Sequence, residues 1–226
     1  MTEIEYLGHS AFVLRHEKDV VLIDPFISNN PVAPPSAKDV CPTLILVTHA
    51  HNDHCGDAVE ISKRCGCPVL TTFEVGNRLA EMGAEVISGH IGGEFNFPFG
   101  KVKIFTAVHS SSFDDINCVG VPCSFVVEIG GKVIYHAGDT ALFGDMALIG
   151  EEFAIDVALL PVGGVYTMGI RDAVRAMRML KAERLVPMHH GTFPAITLKE
   201  DDVRAACAEG RFVLSLLRPG ERLPLD

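Results

Sequence analysis

The sequence predicts one α/β domain spanning residues 1–226, and three observations predict it. Apolar runs of strand length alternate with segments of helical spacing, and the same rhythm, strands first and then strand and helix in turn, occurs twice. No low-complexity tract or linker separates the two occurrences. The 226 residues, 48% hydrophobic and 21% charged, leave room for a sizeable core and exclude disorder as the main state.

The opening is a meander. Residues 2–7 and 10–15 alternate or run apolar around Gly8-His9-Ser10, and Val20 to Ile23 runs into Asp24-Pro25, which makes three strands. Four prolines and two adjacent asparagines make 28–42 a loop. Residues 43–48 form a continuous apolar strand, followed by a polar loop over 49–56 and a helix that ends near Gly66. Further strands fall at 68–72, 85–88 and 101–108, with a helix over 74–82 and alternating Phe95, Phe97 and Phe99 adding sheet character. Residues 124–129 and 132–136 form a hairpin, because Gly130-Gly131 supplies the positive φ that a two-residue turn needs. A buried strand over 156–161 precedes a helix over 170–181, whose apolar residues at 170, 173, 174, 177 and 180 share one face. A strand at 185–188, a helix at 198–207 and a strand at 212–216 complete the reading.

Composition limits the partners. A net charge of -10 without Lys or Arg clusters argues against a broad nucleic-acid footprint and leaves a small molecule as the expected substrate, with a homo-oligomer left open. No apolar run reaches the roughly 18 residues of a membrane span. The first residues are acidic where a signal peptide would be basic, so a cytoplasmic location is expected. Seven cysteines are too few and too odd in number for a disulfide scaffold, and small buried thiols are expected for most.

The ten histidines carry the chemistry. His49-Ala50-His51-Asn52-Asp53-His54 packs three imidazoles and a carboxylate into six positions at a strand end, a density that packing or a helix cap does not explain. Neutral imidazole and carboxylate suit zinc and neighbouring transition metals, and four such groups exceed what one open catalytic ion needs, so two divalent ions are expected. Two ions need more ligands at other strand ends. His109 ends the strand 104–108, Asp139 follows the hairpin, and His189 follows 185–188.

With these groups in order, the chain resembles the metallo-β-lactamase superfamily over almost its whole length. Gly8-His9-Ser10, Ile23-Asp24-Pro25-Phe26, the segment from Pro161 to Gly169 and Pro187-Met188-His189-His190-Gly191-Thr192-Phe193-Pro194 are similar to the UPF0173 metal-dependent hydrolases. The resemblance implies a four-layer αββα sandwich, two mixed sheets flanked by helices, with the site on one edge. It implies His49, His51 and His109 on one ion, Asp53, His54 and His189 on the other, and Asp139 bridging. Asn52 stands where related loops often carry glycine, and His190 where an aromatic is expected. His51, in place of a carboxylate, favours hydrolytic members over the oxygen-reducing di-iron branch.

The expected function is hydrolysis of a small ester, lactone or phosphodiester by a hydroxide that two ions about 3.5–4 Å apart share and acidify. Zinc is preferred, with manganese, iron and nickel also suited to a thiolate-free set. Asp53 and Asp139 are the catalytic candidates, Asp53 orienting the nucleophile and Asp139 compensating charge. Asp24 is the candidate partner for fixing histidine tautomers, against a simple Asx turn before Pro25. His9, Tyr166, Thr167 and His190 are the candidates to line a substrate pocket, Tyr166 as a donor to a developing oxyanion. Two other functions compete: an RNA or other nucleic-acid phosphodiesterase, and a non-catalytic metal-binding regulatory module.

Overall fold

The computed structural model describes residues 1–208 and 210–225; Glu209 and Asp226, the last residue of the predicted domain, lie outside the described residues. Strands β1 (Thr2–Gly8), β2 (Ala11–His16) and β3 (Asp19–Ile23) form the meander. They are followed by β4 (Leu44–Leu46), α1 (Asn52–Cys55), α2 (Ala58–Cys65), β5 (Val69–Thr72), α3 (Phe73–Glu81) and β6 (Val86–Gly89). The second half runs through β7 (Glu94–Phe97), β8 (Gly100–Thr106), β9 (Cys123–Ile129), β10 (Lys132–His136), α4 (Met146–Glu152) and β11 (Val157–Pro161). It ends with α5 (Ile170–Leu180), β12 (Arg184–Met188), α6 (Glu200–Cys207), β13 (Val213–Leu214) and β14 (Arg222–Leu225).

These strands make two seven-stranded sheets of matching design, β14-β1-β2-β3-β4-β5-β6 and β13-β12-β11-β10-β9-β8-β7. In each, an antiparallel set (β14 to β3, and β7 to β10) continues into parallel strands (β3 to β6, and β10 to β13). Alternation explains the layers. Along β2 to β4, Phe12, Leu14, Val21, Ile23, Leu44 and Leu46 face the core shared with the other sheet. The residues between them, Val13, Leu22 and Ile45, pack with Ala58 and Ile61 of α2 and Val75 and Leu79 of α3. The second sheet instead shares its core with Met146 of α4, Met177 of α5 and Val203 of α6. The result is the four-layer αββα sandwich, two mixed sheets flanked by helices. The β9–β10 turn has φ of 57° at Gly130 and 77° at Gly131, as a tight hairpin requires.

Several features differ from the sequence reading, beginning with the helical turn α1 inside the expected loop over 49–56. Helix α4 is too short to show a periodic face, and only Met146, Ile149 and Gly150 of it are buried. Strand β14 carries Pro224, which weakens a strand signal, and it lies at a sheet edge, where proline is tolerated, antiparallel to β1. Cys41 and Cys65 form a disulfide across 24 residues of sequence, a pairing that needs the loop before β4 folded onto the end of α2. Of the free thiols, Cys55, Cys67, Cys123 and Cys207 are buried, and Cys118 is exposed.

Candidate metal centre

Topology brings the predicted ligands to one edge. Strands β1, β3 and β4 point the same way in the first sheet and end in His9, Asp24 and His49, while β8, β10 and β12 do so in the second and end in His109, Asp139 and His189. Polar residues collect where parallel strands end, outside the hydrogen-bonded ladder. Between the sheets, the backbone N–H groups of His54 and Cys55 donate to the carbonyl of His51, forming the single helical turn α1 that presents Asp53 and His54. Gly56 closes that turn at φ 41°, and a Cβ there would lie 2.4 Å from the Pro25 carbonyl oxygen, so only glycine lets α1 seat against the loop after Asp24.

All seven predicted ligands meet there. His49, His51 and His109 form one group, His54, Asp53 and His189 with His9 a second, and His49, His54 and Asp139 a third that joins them, ligand atoms within each lying no more than 4.8 Å apart. His49 Nε2 and His51 Nδ1 are 2.9 Å apart. Asp139 faces both sides: Oδ1 lies 3.2 Å from His54 Nε2, and Oδ2 lies 3.0 Å from His189 Nε2 and 3.5 Å from His109 Nε2. His190 belongs to none of the three groups.

The tautomers follow from the hydrogen bonds. Asp24, fully buried, accepts from the Thr48 N–H and hydroxyl, both at 2.8 Å, and from His54 Nδ1 at 2.7 Å. Because the single Thr48 hydroxyl proton goes to Asp24, its oxygen accepts from His49 Nδ1 at 2.9 Å. Both His49 and His54 therefore turn a bare Nε2 towards the centre when neutral. Asp24 thus orients His54 directly and His49 through Thr48. It makes no hydrogen bond to His51 among the described residues.

Charge at the centre fits a cation. Burial opposes ionisation of both His54 and Asp139, yet their mutual attraction, helped by Asp24 and His189, holds His54 well above and Asp139 well below their ordinary values. Burial and nearby imidazoles keep His49, His51 and His109 low, hence neutral and able to donate lone pairs. His54 Nε2, Asp139 Oδ1 and His189 Nδ1 are buried without a hydrogen-bond partner. Orphaned buried donors and acceptors of this kind are costly unless something unites them, and neutral imidazoles with carboxylates are the donor set of a divalent transition metal.

A cavity of about 630 Å³ opens onto the centre, lined by His51, Asp53, His109, Asp139 and His189 and by Ser110, Tyr166, Phe193, Pro194 and Ala195. Of the four side chains expected to line it, Tyr166 does. His9 is fully buried behind Asp53, Thr167 turns its hydroxyl to the Met168 carbonyl, and His190 is not on the wall. The sequence reading missed Ser110 and the Phe193–Ala195 wall; adjacency to His109 and to His189 was the available signal.

Comparisons with known proteins give the family. A family model described as the β-lactamase superfamily domain matches residues 20–190. A UPF0173 metal-dependent hydrolase of Thermus thermophilus is 46% identical over 226 residues, covering 100% of both chains, and one of Symbiobacterium thermophilum is 47% identical over 227 residues, covering 99% of this chain and 100% of the other. The solved structure of Igni18, a metallo hydrolase from Ignicoccus hospitalis, superposes with a TM-score of 0.89 at 37% identity, covering 98% of this chain and 97% of its own. The chain belongs to the β-lactamase superfamily and, within it, to the UPF0173 metal-dependent hydrolases.

Proposed function

We propose that the chain, acting as one domain over 1–226, hydrolyses a small neutral ester or lactone, and a phosphodiester less readily, at a centre for two divalent ions. His49, His51 and His109 would hold one ion, Asp53, His54 and His189 the second, and Asp139 both. The observation that carries this reading is the placement of Asp139 where the two donor groups meet, with Oδ2 near His189 of one group and His109 of the other and Oδ1 near His54. Bound there, zinc or a related divalent ion supplies a Lewis acid and lowers the pKa of water towards neutrality.

The protein's own groups do the rest. Asp53 borders the cavity and is the carboxylate placed to orient an attacking water and take its proton. Ser110 and Tyr166 present hydroxyls on the same wall, where they can donate to the oxygen on which charge develops. Phe193, Pro194 and Ala195 provide an apolar surface for an acyl or leaving group. Among the described residues no Lys or Arg lines the cavity, which weighs against an RNA backbone or another polyanion as substrate.

The test is removal and return of metal. Hydrolysis of a lactone and p-nitrophenyl ester panel should vanish on chelation and return with zinc, with bis-p-nitrophenyl phosphate the weaker substrate. Elemental analysis of the purified protein distinguishes zinc from manganese, iron or nickel. Absence of turnover on every substrate with metal restored would leave a binding module, and a preference for RNA with steep salt dependence would move the activity to nucleic acid.

A further inference from the structure

His9 is fully buried at the β1–β2 turn with a φ of 59°, and its ring is enclosed by His189, His54, Phe26 and Phe193. Both ring nitrogens are engaged: Nε2 lies 3.1 Å from Asp53 Oδ2 and Nδ1 lies 2.9 Å from Thr192 Oγ1. Its carbonyl is pinned as well, accepting from the Tyr6 hydroxyl at 3.1 Å and from the His189 N–H at 2.8 Å. Two roles fit a histidine so close to the second donor group. It is either one more ligand, with a bare Nε2, or a donor that holds Asp53.

Hydrogen-bond accounting separates them. If Nδ1 carried the proton, the Thr192 hydroxyl would accept it and need another acceptor for its own proton. Thr192 is buried, and no other hydrogen bond of its side chain occurs among the described residues. If instead Thr192 donates to Nδ1, every group is satisfied: Nε2–H points at a carboxylate oxygen that can only accept, and Thr192 spends its one proton.

We propose that His9 is a positioning residue, locked by the Thr192 hydroxyl in the Nε2–H tautomer, which fixes Asp53 by one oxygen and turns the other towards the second ion. The proposal rests on the two-ion reading. It also gives Thr192 a part beyond packing. The hydroxyl that sets the His9 tautomer sits next to Phe193, so the loop that walls the cavity also sets the carboxylate.

The test uses the full chain stripped with a chelator and reloaded with Co²⁺, reading bound cobalt per chain, cobalt affinity and the visible cobalt spectrum, with circular dichroism of the metal-free proteins as the check on folding. Thr192→Val removes the donor at nearly constant shape and should weaken the second cobalt about 10-fold or more and change its spectrum, whereas Thr192→Ser should stay within about threefold of wild type. His9→Gln keeps an N–H able to reach Asp53 but offers no imidazole, and should retain both cobalt ions. Loss of one cobalt equivalent in His9→Gln would make His9 a ligand and overturn the proposal, as would a Thr192→Val protein indistinguishable from wild type. Should Thr192→Val fail to fold, His9→Gln decides alone. A wild-type chain that takes up a single cobalt refutes the two-ion reading separately, and the same variants then judge His9 on that one ion.

Discussion

The two donor groups at the strand ends differ in what stands behind them. In the group formed by Asp53, His54 and His189, Asp24 holds His54 at 2.7 Å and His9 holds Asp53 at 3.1 Å. In the group formed by His49, His51 and His109, only His49 is anchored, through Thr48. Neither His51 nor His109 makes a side-chain hydrogen bond outside the cluster among the described residues, and both border the cavity. The first group is therefore held by more outer partners than the second, although Asp53 and His189 border the cavity as His51 and His109 do. Outer partners fix ligand orientation and strengthen metal affinity, so the two sides should bind metal unequally.

Asp139 spans the difference, and removing it should cost most. Asp139→Ala should lower kcat/KM by about 1,000-fold or more while the chain still folds, as steady-state kinetics and circular dichroism would show. Full activity would mean that the two groups work without a shared carboxylate.

Asp24→Asn strikes the His54 group directly and the other group only through Thr48 and His49. It removes the charge behind His54 and should weaken metal binding about 10- to 100-fold, with the ion on the His54 side lost first in competition with a chelator. Equal release of both ions would erase the distinction between the groups.

Acid should act on both sides at once. His9 is pushed down to about 4, chiefly by burial, and burial also holds His49, His51, His109 and His136 below their ordinary value of 6.5. Below that value the unfolded chain takes up protons that these folded rings refuse, so their contribution to stability is present above it and lost as pH falls. The metal-free protein should lose stability as pH falls, read as a falling urea midpoint between about pH 7 and pH 5. His54 has the opposite sign, since its raised value adds stability at low pH that is lost as pH rises through it. A midpoint that rises on acidification would show that His54 and its two carboxylates outweigh the other rings.

The smallest effect belongs to the loop between β11 and α5. Thr167 turns away from the cavity, so Thr167→Ala should leave kcat/KM within about twofold. A larger loss would return Thr167 to the substrate wall.

Much of this was legible before any coordinates. The meander, the hairpin at Gly130-Gly131 and the helix over 170–181 follow from local periodicity and turn chemistry, and each stands within a few residues of its expected bounds. The cluster from His49 to His54 was visible because its three imidazoles and carboxylate fall within six consecutive positions. Helix α4, strand β14 and the Cys41–Cys65 disulfide were not, because short or proline-containing segments owe their conformation to the partners they pack on. His9 was expected at the substrate and stands behind Asp53. Nothing in Gly8-His9-Ser10 points to Thr192, which is 183 residues away.

Residue chemistry and its spacing along the chain thus decided which groups can hold a metal and at which strand ends they stand, since alternation, turns and ligand type act over a few residues. Folding decided which of those ends meet, which oxygen of Asp139 faces which imidazole, and which nitrogen of each ring carries the proton. Those outcomes depend on strand order and on hydrogen bonds between segments far apart in sequence, which only the packed sheets specify.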